Sequence, residues 1–268
     1  MKIMKKTTIK RTILISIMML IVISLINFGS KAFTGNIHNQ AEAVETNKQA
    51  KHPKEEIPPF PKASATAKKT DEQYALVNNT DSLLVLVNKH RKLPDSYTPR
   101  DLTKPNVPFL SLEDKEKTLL RKPAADALEE MFKAAKQQGI ELTAVSGFRS
   151  YKRQESLHNT YVNRQGKKAA DALSAIPGTS EHQTGLAMDI SSKSAKFQLE
   201  PIFGETPEGK WVAEHAHEFG FVIRYPEDKT DITGYDYEPW HLRFVGNPQA
   251  TYLYEHHLTL EEAMGDKK

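Results

Sequence analysis

Apolar and polar positions divide the chain into three stretches. Lys2, Lys5, Lys6, Lys10 and Arg11 lead into an uncharged apolar run over residues 12–28, and Ser30-Lys31-Ala32 offers a small-x-small cleavage site. This pattern predicts a signal peptide or signal anchor over 1–32, its apolar run being at the short limit for a membrane span. Residues 33–72 are rich in Lys, Glu, Ala, Asn, Gln and Pro and have little apolar surface to bury, which predicts a disordered linker. From 73 to 262 the pattern is that of one globular domain.

Within that domain, residues 83–88 form a short branched run that reads as a buried strand. The stretch 121–138 is the clearest helix: Ala124, Leu128, Met131, Phe132 and Ala135 share one face, Pro123 sits near the start and Gly139 follows the end. A strand over 142–146 leads to a helix over 150–161 with Ser150 as its cap, and 167–174 reads as another helix. Leu186, Met188 and Ile190 alternate with Ala187 and Asp189 in a mostly buried strand. Residues 191–210 form an insertion that could cover a cleft. Residues 211–219 read as helix, while 221–225 and the stretch around 241–244 read as strands. The expected fold class is α+β: one domain with a small, mainly antiparallel sheet flanked by helices, its chemistry at strand ends.

Composition narrows the chemistry. The 268 residues carry a net charge of +3 and no cysteine. That excludes a disulfide framework, a thiolate metal site, a cysteine nucleophile and a lipid-modified N-terminal cysteine. The mild basic excess forms no stripe that would favour nucleic acid. No phosphate-binding glycine loop, no Gly-x-Ser-x-Gly elbow and no His-Glu-x-x-His occurs.

Asp189 is an ionisable group on an otherwise apolar strand, where an unpaired charge is costly. A metal ion is a natural partner, and His182 could bind the same ion if Gly185 lets the chain turn sharply. Taken alone, the pair reads more simply as a satisfied loop histidine and a strand-end aspartate. Glu238 and His241 change that balance. Two histidines and a carboxylate are the ligand set of a catalytic zinc site, and a nearby glutamate supplies its general base. His182, Asp189 and His241 are thus the candidate ligands and Glu238 the candidate base. Arg149, just past a strand end, suits a carboxylate or a developing oxyanion; a structural salt bridge is an equal reading. His90, His158, His215, His217, His256 and His257 read as ordinary surface or helix residues.

Ser-x-His-x-x-Gly-x-Ala-x-Asp at 180–189 and Glu-x-x-His at 238–241 resemble the motifs of the VanY-type D-alanyl-D-alanine carboxypeptidases. Ser146-Gly147-Phe148-Arg149-Ser150, with Tyr151 and Gln154, resembles a third motif of that family. Its relatives include LD-carboxypeptidases and D-Ala-D-Ala dipeptidases. The resemblance implies a metallo-carboxypeptidase with one zinc ion that removes a C-terminal D-alanine from peptidoglycan stem peptides. It further implies that Arg149 stabilises the oxyanion or holds the substrate's anionic end. Gln154 and Ser180 are then expected as hydrogen-bond donors to substrate, and Trp240 as a pocket wall, although a core role for Trp240 is an equal reading. Two alternatives stand beside this: LD-carboxypeptidase or D,D-dipeptidase action on the same substrate class, and a non-catalytic zinc-containing wall-binding module. An exported monomer is expected, at the outer face of the cytoplasmic membrane or in the wall, with membrane contact only through the N-terminus.

Overall fold

The computed structural model describes residues 58–70 and 73–266. The segment expected to be a signal or anchor, and the expected linker apart from 58–70, lie outside the described residues. Among the described residues no helix is long and apolar enough to cross a membrane.

Strands β1 (Ala67–Lys69), β2 (Ala75–Val77) and β3 (Arg91–Lys92) make one small sheet, and β4 (Leu102–Thr103) pairs with β5 (Leu120–Arg121). β6 (Thr143–Ser146), β7 (Ala187–Ser191), β8 (Phe221–Ile223) and β9 (His241–Phe244) form the central antiparallel sheet in the order β6-β7-β9-β8. All five residues of β7 are buried, so both of its faces are covered. The register sets Asp189 of β7 opposite His241 of β9 and also opposite Ser146 of β6. Directly opposite residues on one sheet face have their side chains in reach of each other, so this pairing brings two distant parts of the chain to one spot.

Helix α1 (Lys122–Gln137) buries Ala124, Leu128, Met131, Phe132 and Ala135, the face read from the sequence. Gly139 follows it with φ 78°, the left-handed conformation that only glycine adopts at little cost. These side chains join Leu186, Met188, Ile190 and Leu242 in the main core. Removing one of them, such as Met131→Ala, costs about 2–5 kcal/mol through lost burial and the cavity left behind. Helix α2 (Tyr151–Gln165) starts at Ser150, whose hydroxyl accepts from the Arg153 N–H, and α3 (Lys167–Leu173) folds back on it. Helices α4 (Pro207–His215), α5 (Gln249–Glu255) and α6 (Leu260–Met264) complete the flanks. α4 begins four residues before the expected start at 211 and a helical turn over Ile202–Glu205 precedes it, so the irregular part of the insertion is 192–201 with Thr206. The fold is the expected α+β domain.

Two expectations need correction. Residues 85–88 are buried and Leu83 and Leu84 half-buried, but the run is not a strand. The carbonyls of Leu83 and Val85 accept from Arg243 Nη2, and that of Leu86 accepts from Arg91 Nε. Guanidinium groups satisfy these carbonyls, while Leu84, Val85 and Asn88 donate their N–H groups to Ser82 and Arg91, so the run needs no partner strand. The expected domain limits, 73 and 262, are too narrow. β1 lies in the expected linker yet pairs with β2, and Ala63 packs with Leu86, Val245, Leu253, Leu260 and Met264 in a second apolar cluster. α6 runs past 262 for the same reason, since Met264 is part of that cluster.

Candidate metal centre

Three ligand-type side chains converge at the β7–β9 pair. His182 Nε2 lies 3.3 Å from Asp189 Oδ2, and His241 Nδ1 lies 2.9 Å from Asp189 Oδ1. The two imidazole rings meet edge to face, with centroids 5.0 Å apart. The ligand atoms all fall within 4.8 Å of one another, the one such group of three or more among the described residues. A tetrahedral ion with ligands at about 2.0–2.2 Å has its ligand atoms roughly 3.3–3.6 Å apart, and two histidines with a carboxylate gathered within 4.8 Å are a donor set that suits zinc. Three protein ligands also leave a fourth position for water. The Ser146 hydroxyl, across the sheet from Asp189, is buried without a protein partner.

Each histidine presents a different nitrogen. His182 sits in the helical turn Glu181–Thr184, which ends at Gly185 with φ 67°, the sharp turn expected there. Its Nδ1 faces the Gly147 carbonyl at 2.8 Å, which leaves Nε2 for an ion. Position 147 must be glycine for space: a Cβ there would collide with the Leu119 carbonyl and the Met188 side chain. His241 is reversed. Its Nδ1 faces Asp189, and its Nε2 faces Glu181 Oε2 at 3.4 Å.

The charges follow from burial and neighbours. Burial pushes the Asp189 carboxyl up, but His182 and then His241 override it and hold the group well below the usual carboxylate range. Burial lowers the His182 pKa, with Arg149 adding to the effect against Asp189, so its imidazole is neutral and ready to coordinate. Burial also opposes charge on His241, yet its hydrogen bonds to Asp189 and Glu181 win and raise its pKa. His241 therefore carries a proton that an arriving ion must displace.

Glu238 stands just outside this set. The His241 N–H donates to the Glu238 carbonyl at 3.1 Å, closing a turn through Pro239 and Trp240, and Glu238 Oε2 lies 3.9 Å from His241 Nδ1. Burial first, then the charges of Asp189, Asp236 and Glu181, push the Glu238 carboxyl up to about 7 against the opposing pull of His241. Glu238 and Trp240 line an open cleft whose walls include Tyr235, Tyr237, Lys167 and Ser174, with Pro201 of the insertion at its edge. Trp240 is half-buried, lines this cleft and also packs on the core.

Arg149 is half-buried and donates from Nη1 to Gln154 Oε1 at 2.9 Å. Gln154 Nε2 donates to Ser174 Oγ and to the Ala175 carbonyl. With both N–H bonds used and 1% exposure, Gln154 braces Arg149 and presents no free donor to the cleft. Ser180 is buried ahead of the His182 turn and does not cap it. The remaining histidines stay apart: His158 pairs with Asp171, His215 with Glu218, and His217 stacks on Tyr254. Sequence reasoning passed over Glu181. It is fully buried and pairs with Arg224 Nε at 2.8 Å and Arg243 Nη1 at 2.6 Å. Both arginines sit in or beside apolar strands, which is the signal that singled out Asp189.

The family model for VanY D-alanyl-D-alanine carboxypeptidases matches residues 117–247, a span holding Arg149, His182, Asp189, Glu238 and His241. YodJ of Bacillus subtilis (strain 168), assigned as a carboxypeptidase, is 52% identical over 186 residues, 69% of this chain and 68% of its own. This chain belongs to the VanY carboxypeptidase family. A D-alanyl-D-alanine carboxypeptidase of Enterococcus faecalis (strain ATCC 700802 / V583) is 34% identical, over 69% of this chain and 66% of its own. Among solved VanY-like structures, that of the LD-carboxypeptidase LdcB is 50% identical, covers 75% of this chain and 94% of its own, and has a TM-score of 0.72. A mutant of the D,D-pentapeptidase VanY from a VanB-type resistance cassette was solved as a Zn(II) complex; it is 34% identical, covers 68% and 98%, and has a TM-score of 0.54.

Proposed function

We propose that this chain is an exported zinc carboxypeptidase, with one ion, that removes the C-terminal D-alanine from peptidoglycan stem peptides. The observation that carries this reading is the convergence of His182 Nε2, Asp189 and His241 Nδ1, with Glu238 3.9 Å from His241 on the wall of the cleft. The Zn(II) complex of the VanY relative supports the metal, and the LdcB and VanY relatives support the substrate class. Two bonds fit this description: D-Ala–D-Ala in a pentapeptide and the L,D bond of a tetrapeptide. The sequence motifs favour the first, and the stronger likeness to LdcB favours LD-carboxypeptidase action. A wall-binding module without turnover has no use for a carboxylate like Glu238, poised near neutrality beside the ligands.

When bound, zinc lowers the pKa of a coordinated water and polarises the scissile carbonyl. Glu238 takes a proton from the attacking water and delivers it to the departing amine of D-alanine. A carboxylate beside the ligands on the wall of the cleft is placed to do both. Arg149, steadied by Gln154, donates to the developing oxyanion or to the substrate's terminal carboxylate.

Two measurements test the reading. Metal analysis of His182→Ala and His241→Ala should show lost zinc, and full occupancy in both would refute the ligand set. Mass spectrometry of defined pentapeptide and tetrapeptide muropeptides, incubated with zinc-loaded protein, should show loss of one alanine from one of them. No cleavage of either would favour the binding module.

A further inference from the structure

The neutral imidazole of His241 has one lone pair and one N–H. An ion that takes the lone pair at Nδ1 leaves the Nε2 proton in a buried place, where it needs an acceptor. Glu181 Oε2, 3.4 Å from Nε2, is that acceptor. Its other oxygen is fully engaged, since Oε1 accepts from Arg224 Nε at 2.8 Å and Arg243 Nη1 at 2.6 Å. Those guanidiniums are anchored in turn. Arg224 Nη1 and Nη2 donate to both oxygens of Glu261 at 2.8 and 2.6 Å, and Arg243 Nη2 donates to the carbonyls of Leu83 and Val85. The side chains of Glu181, Arg224, Arg243 and Glu261 are at most 2% exposed. Two carboxylates and two guanidiniums balance one another, so no further charge is needed to keep Glu181 in place.

We propose that Glu181 is a positioning residue that fixes the Nε2–H tautomer and the ring angle of His241, and that Arg224 and Glu261 hold Glu181 to this task. The inference rests on the zinc reading above. It makes α6, which lies beyond the span matched by the family model, a support of the metal centre. His182 reaches the same end by a shorter route, through the Gly147 carbonyl. Partners of this kind set the orientation and basicity of a ligating histidine.

The test uses the full chain. In zinc-loaded wild type, two-bond proton–nitrogen spectra of the imidazoles should place the remaining proton of His182 on Nδ1 and that of His241 on Nε2. A His241 proton on Nδ1 overturns the proposal without any variant. In Glu181→Gln the amide oxygen turns to the two guanidiniums, and its NH2 group faces His241 Nε2, which favours the wrong tautomer. Zinc affinity, measured by competition with a chelator on protein shown to be folded by circular dichroism, should fall roughly 10–100-fold. Glu261→Gln, two links from the ion, should weaken zinc binding by a smaller factor. Thr259→Ala removes the cap of α6 but leaves Glu261 in place, so it should lower thermal stability and leave zinc affinity unchanged. A folded Glu181→Gln protein with wild-type affinity refutes the proposal. So does a Thr259→Ala loss as large as that of Glu261→Gln, which would make helix stability the cause. If Glu181→Gln does not fold, the spectra and Glu261→Gln decide. A wild-type protein that takes up no zinc overturns the zinc reading itself.

Discussion

His241 stands between two groups of buried charge that solve one problem in opposite ways. On its Nε2 side, Glu181, Arg224, Glu261 and Arg243 pair among themselves and close the circuit inside the protein. On its Nδ1 side, Asp189 and Glu238 face two histidines, and Arg149 is turned toward Gln154. The first group is complete without a guest. The second has carboxylates in excess of fixed cations and gains most from a divalent ion. A buried charge thus marks a working site when its partners fall short, and a structural one when they do not.

The largest effect should come from the open side. Glu238→Gln keeps the size and polarity of the side chain and removes the proton chemistry proposed for it. We expect zinc still bound and turnover lowered roughly 10²–10⁴-fold, read from steady-state kinetics beside metal analysis. Loss of zinc in this variant would make Glu238 a ligand and redraw the boundary of the open group.

On the closed side, Arg224→Met leaves Glu181 and Glu261 buried without their shared partner. Breaking such a pair costs about 3–5 kcal/mol, which urea unfolding would show as a lower midpoint. Near wild-type stability would mean that the circuit tolerates an open end, and the contrast between the two groups would weaken.

Arg149→Lys tests which group Arg149 serves. A lysine keeps the charge and loses the planar fork. Losing one charge-assisted bond in the transition state costs about 1.5–3 kcal/mol, so kcat/KM should fall by about 10–100-fold with unfolding unchanged. A variant that loses stability and keeps its kinetics would place Arg149 with the structural charges.

The smallest effect is a slope. Burial pushes the Glu261 carboxyl up, but Arg224 and Asn88 overcome it and hold its pKa below the ordinary value. With the folded pKa below the unfolded one, the stabilisation is complete above the unfolded value of about 4.3. It is lost as pH falls through the folded value. The stability difference between wild type and Glu261→Gln, measured by denaturant unfolding from neutral to acid pH, should therefore shrink on acidification. A constant difference would show that ionisation of Glu261 contributes nothing.

Much of this was legible in the chain. Alternation at 186–190 and the apolar face of α1 gave the central strand and its helix, because both report directly on burial. Glu181 was missed because it lies inside a motif already read for its histidine. Arg224 and Arg243 were missed because a cation beside apolar strands was not asked to name its partner. The run at 83–88 misled for a different reason. Two of its carbonyls are satisfied by Arg243 from far along the chain, and no local pattern announces that. β1 was invisible because Ala67–Lys69 carries little apolar surface and is held by pairing.

The turn that joins Glu238 to His241 acts as a ruler. Four consecutive residues and one backbone hydrogen bond set the spacing between Glu238 and His241. The facing wall of the cleft, with Lys167, Asp171 and Ser174, belongs to α3 and the segment after it. Substitutions on the α3 side of the cleft would therefore change what the cleft admits without touching the turn that spaces Glu238 from His241.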